Sequence, residues 1–185
     1  MSDLLARYAG WLAAHAPKTA AAARPPAPDA DLAAAERELG AALPSPIREL
    51  YRWHDGGPNR SDQALWLTHD FGLLSLARAR ENRQMMREIA AEEFDPEDAD
   101  WYWNPHWFPI GTSWTGDLVV VDCSVSRTRG RLSVFCNEGP RPSDPVWADL
   151  DALLAELVGA LENGTPLSGC RPAVHDGWLA WEEQP

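Results

Sequence analysis

The run Trp107-Phe-Pro-Ile-Gly111, the loop Thr112-Ser-Trp-Thr-Gly116-Asp117 and the run Leu118-Val-Val-Val121 decide the fold class. Four consecutive branched apolar residues bounded by turn formers read as a short strand covered on both faces. Residues 127–130 then read as a turn. Residues 131–136 alternate, which places Leu132, Val134 and Cys136 on one side of a further strand. Nothing upstream of Trp101 has this texture over any length. The chain is therefore mixed, with helices first and strands after.

Working outward, Leu4, Leu5, Tyr8, Trp11 and Leu12 recur at helical spacing and predict an amphipathic helix over residues 1–15, ahead of Pro17. Residues 16–28 are rich in alanine and proline, which predicts an extended, semi-rigid linker, with the body of the protein running over 29–185. A helix starts near Asp29 or Asp31, buries Leu32, Ala35 and Leu39, and stops at Gly40. Ser45-Pro46 supplies a cap and a first-turn proline for the next helix, with Ile47, Leu50, Tyr51 and His54 on one face. Gly56-Gly57-Pro58 ends it. A short strand is expected at 64–68. Ser75 caps a helix to about residue 91, with Leu76, Ala79, Met86 and Ile89 inward. Residues 92–100 hold six carboxylates, a density that predicts a loop. The last strong element is a helix over 148–163, with Leu150, Leu153, Leu154, Leu157, Val158 and Leu161 on one stripe, stopped by Gly164 and Pro166. Trp178 and Trp181 predict that the tail packs back on the body.

Composition narrows the function classes. The chain has 185 residues, 45% hydrophobic and 24% charged, within the globular range. Its net charge of −12 repels phosphate backbones and anionic lipid, which argues against nucleic-acid and membrane partners. Cys123, Cys136 and Cys170 lack metal-ligand spacing and read as reduced thiols. The first residues lack the pattern of a signal peptide or anchor, so a cytoplasmic location is expected.

A search for chemistry yields little. Three His-Asp pairs (His54-Asp55, His69-Asp70, His175-Asp176) suggest a metal-dependent hydrolase, but adjacent side chains diverge on any regular element, and capping or turn roles explain them better. His15 and His106 join no such pair. No nucleophile elbow is present, and Cys123 and Cys136 read as core thiols. The glycines of 111–116 match neither a phosphate loop nor a dinucleotide fingerprint. Trp101, Trp103 and Trp107 read either as core or as a protein-contact surface. Trp53 and Trp66 read as core.

Three stretches together resemble one family. Glu36-Arg-Glu-Leu-Gly-Ala-Ala-Leu-Pro44 with Ile47-Arg-Glu-Leu-Tyr51 and His54-Asp-Gly-Gly57 resembles the opening signature of the SUKH superfamily, which includes the fungal Smi/Knr-type cell-wall-assembly regulators and many bacterial immunity proteins. Phe108-Pro-Ile-Gly111 followed by Gly116-Asp-Leu118 and Asp122 resembles its central strand motif. One position departs: Asp55 stands where the family usually has asparagine before the two glycines. The resemblance spans roughly residues 30–163. It implies an α+β fold, a largely antiparallel central sheet flanked by helices, to which this chain adds an N-terminal helix. It also implies no catalytic centre and no cofactor or metal.

The function so implied is that of a non-enzymatic module, an immunity protein that binds and neutralises a cognate bacterial toxin. The alternatives are a scaffold of the Smi/Knr type in envelope or signalling assembly, and an unrecognised metal-dependent hydrolase. The expected partner is a basic protein toxin, met by a monomer. The expected contact surface is Glu92, Glu93, Asp95, Glu97, Asp98 and Asp100 running into Trp101, Tyr102 and Trp103, where charge for steering adjoins aromatics for anchoring.

Overall fold

The computed structural model describes residues 2–58, 63–137 and 145–183. Among these, helices α1 (Asp3–His15), α2 (Pro17–Ala22), α3 (Asp29–Leu39) and α4 (Ser45–Trp53) precede β1 (Gly72–Leu73). Helices α5 (Leu76–Glu93) and α6 (Pro96–Tyr102) follow, then β2 (Trp107–Thr112), β3 (Leu118–Asp122) and β4 (Leu132–Phe135). Helix α7 (Leu150–Asn163) and a terminal hairpin, β5 (Cys170–His175) with β6 (Trp178–Glu183), complete the chain. Strands β1 to β4 form one antiparallel sheet in sequence order, and β5 and β6 form a second sheet of two strands. The architecture is the expected α+β one, with the N-terminal helix present.

The apolar run of β3 is buried along its length, from Leu118 to Val121, because β2 and β4 flank it and the core covers both faces. In β4 the inward residues are Leu132 and Phe135, while Cys136 lies exposed beyond the strand. This corrects the alternation read for 131–136: the strand ends at Phe135, so Cys136 is not a core thiol. Helix α7 buries the predicted leucine stripe, with Asp149 Oδ1 accepting from the Ala152 amide at its start. Its neighbours are α1, α4 and β5.

The expected strand at 64–68 is replaced by a turn. All five residues are buried, but Thr68 Oγ1 accepts from the amides of Asp70 and Phe71 (3.3 and 3.2 Å), which closes the chain on itself. Only a single bridge, Trp66 to Gly72, remains, and the sheet begins at β1. Helix α4 starts one residue earlier than read, with Pro44 at the cap and Ser45 inside the helix.

Junctions between segments are set by close backbone contact. Gly56 has φ +75°, and a Cβ there would lie 2.6 Å from the Ser75 nitrogen and 2.9 Å from the Leu73 oxygen. Only glycine fits. The same approach lets Asp55 Oδ1 accept from the Leu76 amide at 2.7 Å, at the first turn of α5, alongside the Ser75 cap. Two amides link the preceding segment to this turn: Arg24 N donates to Gly56 O and Asp55 N to Pro25 O.

That segment is not the extended linker read from its composition. Residues 17–22 form α2, because Pro17 occupies the first helical position and the following alanines favour helix. Thr19 is buried, and its hydroxyl accepts from the Leu179 amide of β6 at 2.8 Å. Trp66 Nε1 donates to Leu179 O (3.1 Å), and Tyr8 OH donates to Trp66 O (2.8 Å). Both chain ends are therefore stitched to one buried tryptophan, and the tail packs back as expected, in the form of a hairpin. Burial pushes the Tyr8 phenol above its usual range, the hydrogen bond to Trp66 opposing.

Leu5, Tyr8 and Leu12 are each 1% exposed. At about 2 kcal/mol per buried large side chain, these three contribute about 6 kcal/mol, comparable with the whole net stability of a small domain. Removing residues 1–28 is therefore expected to abolish cooperative unfolding, checked by thermal melting of the truncated chain. A sharp transition within a few degrees of the full chain's would show the helix to be dispensable.

Candidate interaction surface

Residues 92–100 were expected to form a loop, and the structure instead ends α5 at Glu93 and starts α6 at Pro96. The repulsion is relieved by position. Asp95 stands at the N-cap position of α6, and Glu97 and Asp98 occupy its first turn, where the helix dipole favours negative charge. Pro96 at the first helical position presets the backbone. Glu92, Glu93, Asp95, Glu97, Asp98 and Asp100 are all exposed.

The aromatics behind these carboxylates divide. Trp101 is 57% exposed, whereas Trp103 is 2% exposed and belongs to the core. Trp103 meets Trp107 and Phe135 edge-on at 5.6 and 5.3 Å, so it supports the surface from beneath and cannot itself touch a partner. Tyr102 lies between: it stacks on Phe94 at 4.4 Å and meets Phe135 edge-on at 5.5 Å. Burial, with the nearby Glu93 charge, pushes its phenol up. Of the nine residues singled out, the structure presents six carboxylates and Trp101 outward, half-covers Tyr102 and buries Trp103.

The His-Asp pairs have local structural roles. His54 Nδ1 lies 2.7 Å from Arg24 O, and Asp55 reaches both the Leu76 amide and Arg24 Nε (3.5 Å). His69 meets Trp181 edge-on. His175 Nε2 lies 2.7 Å from Glu182, and Asp176 pairs with Lys18 at 2.6 Å. Among the described residues no three His, Cys, Asp or Glu side chains group so as to hold a metal ion.

A cleft of about 690 Å³ lies between α3 and α5 with Phe108 of β2 in its lining. Several of its charged side chains are paired. Arg80 pairs with Glu38, and buried Arg83 donates to the carbonyls of Glu38 (3.3 Å) and Pro105 (2.8 Å), tying α3 to the β2 approach. Burial, with Arg87 nearby, pushes the Arg83 guanidinium down.

The geometry is that of an α+β domain, an antiparallel four-stranded sheet with helices packed against it. The sequence profile of the SMI1/KNR4 family (SUKH-1) matches residues 26–156, and the chain belongs to that family. Compared with curated proteins, the chain matches none. The matched stretch ends within α7, so α1, α2 and the β5–β6 hairpin lie outside it. No helix described is long and apolar enough to cross a membrane.

Two chemical consequences can be measured. Burial pushes the Cys123 thiol up to about 12, the Asp122 and Glu36 charges adding and those of Arg129 and Arg83 opposing. A thiol reagent at pH 8 is expected to modify exposed Cys136 at once and Cys123 only on unfolding, read by mass spectrometry of the labelled peptides. Rapid native labelling of Cys123 would contradict its burial.

Asp122 behaves oppositely. Burial alone would raise its carboxyl, but the Thr128 hydroxyl (2.6 Å) and the Ser124 amide (2.7 Å) hold it below the usual range. A depressed carboxylate stabilises the fold above its unfolded value, near 3.9, and that contribution fades as pH falls through the lower folded value. Asp122→Asn is thus expected to lose stability at pH 7 but to lose less on acidification to pH 3 than the parent. Equal losses for both in denaturant titrations would remove this role.

Proposed function

We propose that this chain is a non-catalytic protein-binding module, and specifically an immunity protein that binds and neutralises a cognate bacterial toxin. Membership of the SUKH-1 family supports the general reading. The observation that carries the specific one is the surface of α6: six exposed carboxylates at the α5–α6 junction beside a 57% exposed tryptophan. Toxin domains that act on nucleic acid are basic, and an inhibitor of net charge −12 meets them with complementary charge. Carboxylates at the rim raise the association rate above the unsteered 10⁵–10⁶ M⁻¹s⁻¹ or so, and the aromatic holds the complex once formed.

The test is co-expression with the toxin encoded beside its gene, which is expected to restore growth, followed by kinetics on the purified pair. Exchanging Glu92, Glu93, Asp95 and Glu97 for lysine is expected to slow association at low salt by tenfold or so and to flatten or reverse its salt dependence. Growth arrest that the chain does not relieve would sink the immunity reading. An association rate within twofold of the parent would move the docking site elsewhere.

A further inference from the structure

Outside α6, the most exposed large aromatic described is Trp114, at 80%. It sits in the connection between β2 and β3, which a set of hydrogen bonds within the loop holds in place. Ser113 N donates to Asp117 O (2.9 Å), Asp117 N to Ser113 Oγ (3.0 Å) and Gly116 N to Ser113 O (3.3 Å). Ser113 Oγ and Thr115 Oγ1 lie 2.7 Å apart, and Thr115 Oγ1 donates to Asp117 Oδ2 at 3.1 Å. Asp117 Oδ1 accepts from the Asn137 amide at 2.8 Å, anchoring the loop beyond β4. Ser113 itself is 6% exposed. The loop is held from within while its one large apolar side chain stands in water.

A lone surface apolar residue is ordinary, but this one has the two properties of an interface anchor. An indole offers a large contact area and ranks among the side chains most often found to dominate binding energy. A loop already fixed by hydrogen bonds loses little conformational entropy when it docks. The position suits the proposed surface. Tyr102 touches Phe135, and Asn137, two residues beyond Phe135, is bound to Asp117. Those two contacts place α6 and the β2–β3 loop at the same end of β4.

We propose that Trp114 is the anchor by which this chain holds a basic partner protein, its indole entering an apolar pocket on that partner while the carboxylates of 92–100 set the rate of approach. This rests on the immunity reading above. The occupant is a cationic protein, since a net charge of −12 attracts a basic surface and disfavours the approach of a second copy of this chain.

The experiment measures binding of the full chain to the toxin that it neutralises in co-expression, by surface-immobilised kinetics at low and high salt. Trp114→Ala is expected to raise the dissociation rate about 30-fold or more and to leave the association rate within threefold, with an unchanged melting temperature. Trp114→Phe is expected to recover part of the loss. The α6 lysine variant is expected to do the reverse, changing association and its salt dependence. Absence of binding by the parent chain overturns both readings. Binding by the parent that Trp114→Ala leaves within twofold overturns this one alone, and sedimentation showing a Trp114-dependent dimer assigns the residue to self-association and overturns it as well.

Discussion

The passage of Gly56 against the backbone of residues 73–75 fixes more of this molecule than any other contact. A Cβ at that point would overlap main-chain atoms, which have no freedom to move aside. Because the two backbones touch, Asp55 reaches the α5 amino terminus, and α5 is pinned where β1 hands over to it. Helix α5 then lies along β2, and Leu74 N donates to Ile110 O to fix the register of that contact. Helix α6 hangs from the far end of α5. The acidic surface thus takes its place from a glycine more than thirty residues earlier in the chain.

A second organising device joins the chain ends. Tyr8, Trp66, Leu179 and Thr19 form a relay of hydrogen bonds, three of whose four members lie outside the family-matched stretch. Arg7 with Glu162 and Lys18 with Asp176 add exposed ion pairs of little individual worth. The buried polar contacts matter more, because breaking one leaves its partner unsatisfied in the core. The added helices and hairpin are integral to the packing of Trp66.

Where one physical effect acts alone, the sequence is readable. The run 118–121 and the leucine stripe of α7 each have one interpretation, burial, and both are buried. Where two effects compete, composition misleads. In 17–22 proline suggests a linker, yet proline at a helix start promotes the helix. In 92–100 like charge suggests a loop, yet charge at a helix amino terminus is favoured. At 64–68 apolar residues suggest a strand, yet the Thr68 hydroxyl diverts the backbone amides. The outward carboxylates and Trp101 were legible from their density and adjacency; the burial of Trp103 was not, since it depends on Trp107 at the start of β2 and on Phe135 of β4, some thirty residues away, meeting beneath it. Trp114 carries no pattern at all in the sequence, and only its fixed loop distinguishes it.

The aspartate that stands in place of the family's usual asparagine has a consequence for how this chain tolerates change. Either side chain presents an oxygen to the Leu76 amide, but only the carboxylate also attracts Arg24, 3.5 Å away on the segment that leads in from α2. An asparagine at this position would keep the contact with the α5 amino terminus and lose the charge pairing, so the aspartate holds the turn to two segments of the chain where an amide would hold it to one.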